Sequence, residues 1–194
     1  LSGETIESPV SYGDVVVISG GARGVTAEVA IALAASSRST LLLLGRSAAP
    51  QPEPAWLEVL STEAEIKKAL IANSDQPLKP KEVGQKCREI LGNREIRATL
   101  QRIKAAGGQP LYRSVDLRDA EAVSAVIRDI RDEYGPIRGL IHGAGVLADR
   151  LIKDKTAEQF AQVYSTKVDG LRSLLDAVAD DDLKFCLLYT SDAA

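Results

Sequence analysis

The fold of this chain is decided by residues 15–26, Val15-Val16-Val17-Ile18-Ser19-Gly20-Gly21-Ala22-Arg23-Gly24-Val25-Thr26. The stretch opens with four consecutive β-branched residues, the pattern of a strand that is buried on both faces of a parallel sheet. A glycine-rich turn follows, and residues 26–35 have the alanine-rich composition of a helix. A strand, a tight glycine turn and a helix in this order predict a phosphate-binding turn, because glycine lets the backbone approach a ligand and the helix presents free N–H groups to an anion.

The glycines are spaced Gly20-x-x-x-Gly24-x-Thr26, and Ser19 precedes them. A glycine-rich turn without a ligand is the alternative interpretation, but the position at the end of the first strand favours dinucleotide binding. The predicted contacts to the dinucleotide come from Ser19, Gly20, Gly21, Ala22, Arg23, Gly24 and Val25.

Composition limits the function classes. A chain of 194 residues suits one domain with a sizeable core, or one domain with an insertion, and its net charge of −3 gives no basis for binding nucleic acid or an anionic membrane. The two cysteines, Cys87 and Cys186, form neither a disulfide framework nor a metal pattern, which is typical of a reducing compartment and predicts a cytoplasmic protein. A single histidine, His142, excludes a histidine-rich metal site. No signal peptide and no membrane-spanning apolar run is visible.

The order of apolar runs predicts an α/β protein with a Rossmann-like, doubly wound parallel sheet. After the first strand, further strands are predicted at residues 41–44, 111–115, 140–142 and 185–188, with helices at residues 119–134 and 156–179 between them. Residues 1–13 are polar and turn-rich and are predicted to be a linker, with the domain itself over residues 14–194. Because the chain begins at Leu1 and stops inside an apolar run, we expect it to be part of a longer protein, truncated at the fifth strand.

Residues 48–93 interrupt this alternation and are predicted to form a helical insertion after the second strand. Thr62-x-x-Glu65 predicts a capping box that opens a helix over residues 63–72, and Pro80 suits the first position of another helix. Gly92-Asn93 changes the phase of the apolar positions, which predicts that the insertion ends there and a separate helix leads back to the sheet. In the helix over residues 156–179, the predicted inward-facing stripe is Phe160, Val163, Val168, Leu171, Leu175 and Val178.

Two arginines predict the choice of cofactor. Arg46 follows the second strand, where dinucleotide enzymes contact the adenosine ribose, and no acidic residue stands between it and Glu53. A guanidinium suits a 2′-phosphate, and Arg23 in the glycine turn could reach the same group. Either arginine alone could be an ordinary surface residue, but both in these positions favour NADP(H).

Other candidate site residues lie at strand ends. Asp116 could accept a hydrogen bond from an adenine amino group or cap the next turn, and Gly143-Ala144-Gly145 lets the chain pass close to a cofactor. His142 is interpreted as a packed strand-end residue rather than a base. Lys167 lies near the edge of the apolar stripe, where a lysine either extends to water or points into the cleft and lowers the pKa of a nearby acid.

These motifs together resemble one family. The stretches 19–26, 44–47, 115–117, 141–146 and 167–170 have the order and spacing of the ketoreductase domains of modular polyketide synthases and polyunsaturated-fatty-acid synthases, within the short-chain dehydrogenase/reductase superfamily. The resemblance covers about residues 14–185, and the helical insertion resembles the fatty-acid group in particular. It adds Leu117, beside Asp116, to the expected cofactor contacts.

The resemblance implies NADPH-dependent reduction of a β-ketoacyl thioester carried on an acyl carrier protein, with neighbouring synthase domains as further partners. It implies a catalytic role for Lys167 and aligns Ser191 with the family's active-site serine. The family's tyrosine and asparagine have no counterpart in these 194 residues, so we expect the chain alone to be inactive. A free-standing short-chain dehydrogenase and a non-catalytic nucleotide-binding half-domain are the alternatives.

Overall fold

In the computed structural model, which describes residues 9–74 and 76–189, five parallel strands form one sheet in the order β3-β2-β1-β4-β5. The elements are β1 (Val15–Ser19), α1 (Gly24–Ser37), β2 (Thr40–Gly45), α2 (Ala55–Glu58), α3 (Glu63–Ala72), α4 (Pro80–Ala105), β3 (Gln109–Ser114), α5 (Ala120–Tyr134), β4 (Ile137–His142), a 3₁₀ turn (Ile152–Asp154), α6 (Ala157–Tyr164), a π-helix (Ser165–Asp169), α7 (Gly170–Ala177) and β5 (Phe185–Leu188). The doubly wound parallel sheet predicted from the sequence is confirmed.

The sheet is covered on both faces, as its uniformly apolar strands require. Val15 and Val17 of β1 pack on one side in a core shared with α5 and α7. Val16 and Ile18 pack on the other side against α1 and α4. Val10, within the predicted linker, is buried in this second core, so the polar segment before β1 contributes at least one core residue.

Local capping residues begin three of the helices, and the capping box predicted at Thr62 is confirmed. Thr62 and Thr156 each form a capping box with the residue three positions later, and the side chain of Asp119 accepts a hydrogen bond from the N–H of Ala122. Each signal lies within four residues of sequence, which is why it could be predicted without tertiary information.

The predicted end of the insertion at Gly92-Asn93 is wrong. One helix, α4, runs through this point from Pro80 to Ala105, so the insertion and the return to the sheet share a single 26-residue helix. The change of apolar phase has another cause: the first half of α4 packs on the insertion through Cys87, whereas the second half packs on the sheet through Ile96 and Ile103.

The predicted apolar stripe of the last helical segment is wrong in part. The side chains of Phe160 and Leu175 are 60% and 41% exposed, whereas Leu174 is fully buried. The π-helix between α6 and α7 accounts for the exposure of Leu175, because its wider turn adds a residue and changes which side of the following helix faces the sheet. Phe160 lies before it, in α6, a helix without any buried residue.

No helix among the described residues is long and apolar enough to cross a membrane. Within the same part of the chain, no group of three or more histidine, cysteine or acidic side chains is placed to hold a metal ion.

Candidate dinucleotide-binding site

A cleft of about 1040 Å³ opens at the carboxyl ends of the strands. It lies where β1 is flanked by β2 on one side and by β4 on the other, the point at which the chain direction across the sheet reverses. Ligands of open α/β sheets bind at such a point. The cleft is therefore the candidate site, and its size suits a ligand as large as a dinucleotide.

The turns after β1 and β4 pack so tightly that they need glycine. Gly20 has φ +71°, and a Cβ there would lie 2.8 Å from the backbone N of Ala144. At Gly143 a Cβ would lie 2.5 Å from Oγ1 of Thr26. The two glycine turns thus form one continuous floor for the cleft, made of backbone.

Beneath this floor a buried network connects β1, β4 and the π-helix. Ser19 and His142 face each other in the strand register, with Oγ 2.7 Å from Nδ1. Nε2 of His142 lies 3.0 Å from the carbonyl oxygen of Lys167, which can only accept, so Nε2 carries the proton and Nδ1 accepts from Ser19. Burial is the main cause that lowers the pKa of His142 to about 4, and the nearby ammonium of Lys167 adds to it. The ring is therefore neutral at physiological pH, in keeping with a packed strand-end residue.

Lys167 lies in the π-helix, and its ammonium reaches the ends of β4 and β5. Nζ donates to the carbonyl oxygens of His142 at 3.2 Å, Ala144 at 3.4 Å and Tyr189 at 2.5 Å. Partial burial lowers the pKa of Lys167. The ammonium is thus held beside the Gly143–Gly145 turn rather than extended into solvent.

Arg23 and Arg46 line the cleft and leave their charge available. Arg23 precedes the first residue of α1, and Arg46 follows β2 directly. Neither guanidinium has a carboxylate within ion-pair distance among residues 9–74 and 76–189. An anionic ligand group at this end of the cleft would meet two unpaired cations.

Asp116 follows β3, the strand next to β2, and so lies on the same side of the cleft as Arg46. Its carboxylate accepts hydrogen bonds from the side chain of Arg118 and from the Arg118 backbone N–H, at 3.1 Å, so it does cap the turn. The hydrogen bond from Arg118 is the main cause that lowers the pKa of Asp116 to about 2. The carboxylate is ionised and half-exposed, and it still has oxygen lone pairs that can accept a hydrogen bond.

Helix α4 supplies a wall that the sequence analysis did not assign to the site. Gln85, Glu89, Asn93 and Ile96 face the cleft, and Nε2 of Gln85 donates to Glu89 at 3.0 Å. Positions 85, 89 and 93 have the i, i+4, i+8 spacing of one helix face, so the pattern was visible, but nothing local shows what that face covers. Thr26, Tyr112 and Thr166 also line the cleft without having been predicted.

The structure divides the predicted cofactor residues into three groups. Those that line the cleft are Gly20, Ala22, Arg23, Arg46, Asp116, Leu117, Gly143, Ala144 and Gly145. Ser19 and Gly21 lie buried beneath it: the hydroxyl of Ser19 is bonded to His142, and a Cβ on Gly21 would lie 2.5 Å from Ile18. These two residues hold the turn, and their direct contact with a dinucleotide stays a prediction.

Gly24 and Val25 form the third group and border a second groove, between α1 and α4. The N–H of Gly24 is already bonded to the carboxylate of Glu95, which is why this residue faces α4 rather than the cleft. Lys167 does not line the cleft itself, although Thr166 beside it does. The predicted catalytic Ser191 lies outside the described residues.

Comparisons with known proteins agree with this geometry. A polyunsaturated fatty acid synthase of Thraustochytrium sp. is 35% identical over 192 residues, which cover 94% of this chain and 7% of that protein. A ketoreductase domain from the bacillaene assembly line matches 97% of this chain and 35% of its own, with 26% identity and a TM-score of 0.69. An N-terminal ketoreductase from the macrolactin assembly line matches 97% of this chain and 30% of its own, with 23% identity and a TM-score of 0.68.

The chain thus spans only a small part of the relatives that it matches. The sequence model of the KR domain matches residues 14–194, which is nearly the whole chain and includes every strand of the sheet. This chain therefore belongs to the KR, or ketoreductase, domain family of the polyketide and polyunsaturated-fatty-acid synthases.

Proposed function

We propose that this chain forms the dinucleotide-binding part of an NADPH-dependent reductase that converts a β-ketoacyl thioester to the β-hydroxyacyl form. The observation that carries the proposal is the pair Arg23 and Arg46, whose guanidinium groups line the cleft without a carboxylate in ion-pair distance among the described residues. A 2′-phosphate is the feature that distinguishes NADP from NAD, and planar guanidinium groups bind phosphate through paired charge-assisted hydrogen bonds.

The residues present fit a nicotinamide dinucleotide. Gly145 has open space where a Cβ would lie, and the backbone floor at Gly20 and Gly143 admits a ligand without side-chain obstruction. The half-exposed carboxylate of Asp116 suits an adenine amino group, with Leu117 packed beside it. When bound, NADPH supplies the hydride that reduces the ketone carbon.

Lys167 is proposed as a catalytic cation. Its ammonium, held at the ends of β4 and β5, lies at the edge where ligands of such sheets react. A positive charge there lowers the pKa of a neighbouring acid and so favours transfer of its proton to a developing alkoxide. That acid is proposed to be a tyrosine outside these 194 residues, and Ser191 is proposed to orient the ketone.

The thioester substrate is proposed to arrive on an acyl carrier protein, with further synthase domains as neighbours and the cytoplasm as the location. The support is that the matched relatives are synthases and assembly-line enzymes many times the length of this chain. A free-standing dehydrogenase is less well supported, because α2, α3 and the first half of α4 lie within the region matched to the fatty acid synthase.

One observation favours a second candidate, a nucleotide-binding unit without catalysis. All three described acceptors of the Lys167 ammonium are backbone carbonyls, as expected if the lysine only joins β4 to β5.

The proposal is tested in a complete ketoreductase domain that contains this chain. We expect tighter binding of NADPH than of NADH, and reversal or loss of that preference in Arg46→Asp, because charge-assisted hydrogen bonds contribute roughly 1–3 kcal/mol. Calorimetric titration with both dinucleotides measures the preference, and reduction of a β-ketoacyl thioester measures the reaction. Equal affinities for the two dinucleotides in the unmutated domain would contradict the choice of cofactor.

A further inference from the structure

Helix α4 lies against α1 through three contacts that begin at the glycine turn. A Cβ on Gly92 would lie 2.9 Å from Nη1 of Arg23, so the guanidinium rests directly on the helix at this glycine. One turn on, the carboxylate of Glu95 accepts a hydrogen bond from the N–H of Gly24 at 3.1 Å. Further along, Arg102 forms a two-pronged ion pair with Glu28, at 2.6 and 2.7 Å.

Gly92 is an unfavourable residue for its position. It lies in the interior of a 26-residue helix, where glycine destabilises the helix relative to alanine. The same helix contains a second glycine, Gly84, whose added Cβ would make only an ordinary 3.5 Å contact with Arg88. Of the two, only Gly92 has a neighbour closer than a Cβ would allow, and that neighbour is the guanidinium of Arg23.

A nearby carboxylate makes anion binding in the cleft sensitive to the position of the Arg23 guanidinium. Glu89, which lies one turn before Gly92, lines the same cleft, so its negative charge would repel an anionic group bound there. For a phosphate to bind, its attraction to the guanidinium of Arg23 must exceed its repulsion by the carboxylate of Glu89. This attraction weakens as the distance between the guanidinium and the phosphate increases. A displacement of the guanidinium away from the cleft would leave the carboxylate less compensated.

We infer that Gly92 is a positioning residue: it sets the place of the Arg23 guanidinium, which binds the cofactor's 2′-phosphate. Helix α4 thereby contributes to the choice of NADPH over NADH. The inference rests on the proposed function. Gly92 does not line the cleft itself; its missing side chain lets the guanidinium of Arg23, which does line the cleft, lie against α4. Because an arginine side chain is flexible, a methyl group at position 92 can push the guanidinium aside without disturbing the fold.

The experiment uses a complete ketoreductase domain that contains this chain, with the variants Gly92→Ala, Gly84→Ala and Arg23→Ala. We expect Gly92→Ala to weaken the binding of NADPH and of 2′,5′-ADP by about fivefold or more, because a charge-assisted hydrogen bond to the 2′-phosphate is displaced. The affinity for NADH should change by less than about twofold, since NADH has no 2′-phosphate. The melting temperature should not fall, since alanine favours the helix. Gly84→Ala is the matched control and should leave all three affinities unchanged.

A double-mutant cycle identifies the route. If Gly92 acts through Arg23, then Gly92→Ala should have no further effect in the Arg23→Ala background. Unchanged NADPH affinity in Gly92→Ala, or an additive loss in the double variant, would overturn the inference while leaving NADPH preference intact. If the unmutated domain shows no preference for NADPH, the proposed cofactor fails first and the inference falls with it.

Discussion

At the residue scale, His142 and Lys167 are coupled through one buried network. The neutral ring of His142 accepts from Ser19 and donates to the backbone of Lys167, and the Lys167 ammonium in turn donates to the carbonyl of His142. A second proton on the ring would break the bond from Ser19 and place two cations close together. Both the pH response of the fold and the position of the proposed catalytic lysine therefore depend on this network.

The first prediction concerns stability against pH. The folded pKa of His142, about 4, lies below the ordinary value of 6.5, so the unfolded chain binds more protons between these two values. Stability should therefore be constant above pH 6.5 and fall as the pH drops towards 4, by up to about 1.4 kcal/mol per pH unit. Urea unfolding followed by circular dichroism measures this slope.

His142 is the single histidine of the chain, which makes the control clear. His142→Gln should remove the slope between pH 6.5 and 4.5. The carboxylates with lowered pKa, such as Asp116, lose their contribution only at lower pH, since their unfolded values are near 4. A slope that persists in the glutamine variant would show that His142 is not its source.

The second prediction tests Lys167 as a catalytic cation. In a complete ketoreductase domain, Lys167→Met keeps much of the packing of the side-chain stem and removes the charge. If the ammonium lowers the pKa of the proton donor, turnover should fall by about 10²-fold or more and the pH profile should shift to the alkaline side. The rate of thioester reduction against pH measures both effects.

A purely structural lysine gives the opposite pattern. Its replacement would leave turnover near normal and alter only the free energy of unfolding, because the hydrogen bonds to the ends of β4 and β5 are lost. Near-normal turnover in Lys167→Met would contradict the catalytic role of Lys167.

At the element scale, Arg94 is the residue that attaches the insertion to α4. Its guanidinium donates to both carboxylate oxygens of Glu53 and to the carbonyls of Leu57 and Leu60, and the Glu53 side chain is only 8% exposed. These bonds connect α4 to Glu53 before α2, to Leu57 within it and to Leu60 after it. Without Arg94 the two carbonyls would lose this donor, and the nearly buried carboxylate of Glu53 would keep, among the described residues, only the longer ion pair with Arg97, at 3.5 Å.

The third prediction is that Arg94→Lys destabilises the insertion by about 1–3 kcal/mol, because an ammonium cannot reproduce this forked set of bonds. Limited proteolysis should cut residues 48–62 sooner than in the unmutated protein. Arg102→Lys is the control on the same helix: because the ion pair of Arg102 with Glu28 is exposed to solvent, its replacement should change the free energy of unfolding much less than Arg94→Lys does. Equal effects of the two variants would contradict a special role for Arg94.

At the scale of the whole molecule, β5 forms one edge of the sheet. Within the described part of the chain it pairs with β4 alone, and Leu188 is 51% exposed. Further apolar side chains are exposed in residues 147–160, namely Leu147, Leu151, Ile152 and Phe160. An open strand edge beside apolar surface is a site of association between chains.

The fourth prediction is that the 194-residue chain by itself associates in a concentration-dependent way. Leu188→Lys should reduce this association, since a charge on an edge strand opposes pairing with another strand. Val59→Lys, at an exposed site on the insertion, is the control and should have no effect. Sedimentation velocity at several concentrations measures the outcome, and a monomer at all of them would show that the edge is adequately protected.

The sequence alone was sufficient wherever the signal is local. The sequence correctly predicted the first strand and its glycine turn, the capping box at Thr62 and the fifth strand at residues 185–188. Each of these features depends on side-chain periodicity or on hydrogen bonds within four residues, and both can be read directly from the sequence. Most of the cofactor residues predicted from motifs also line the cleft, because strand ends of a parallel sheet meet at one edge.

What only the tertiary structure decided depends on contacts between distant residues. Packing between segments far apart in the chain determines three features: the continuity of α4, the close approach of Arg23 to Gly92 and the hydrogen bond from Ser19 to His142. The sequence around Gly92 is compatible both with the end of a helix and with a helix interior that a guanidinium approaches closely. Only the packing of α4 on α1 distinguishes these two roles, because the interactions that decide between them are with residues close in space and not with residues adjacent in the chain.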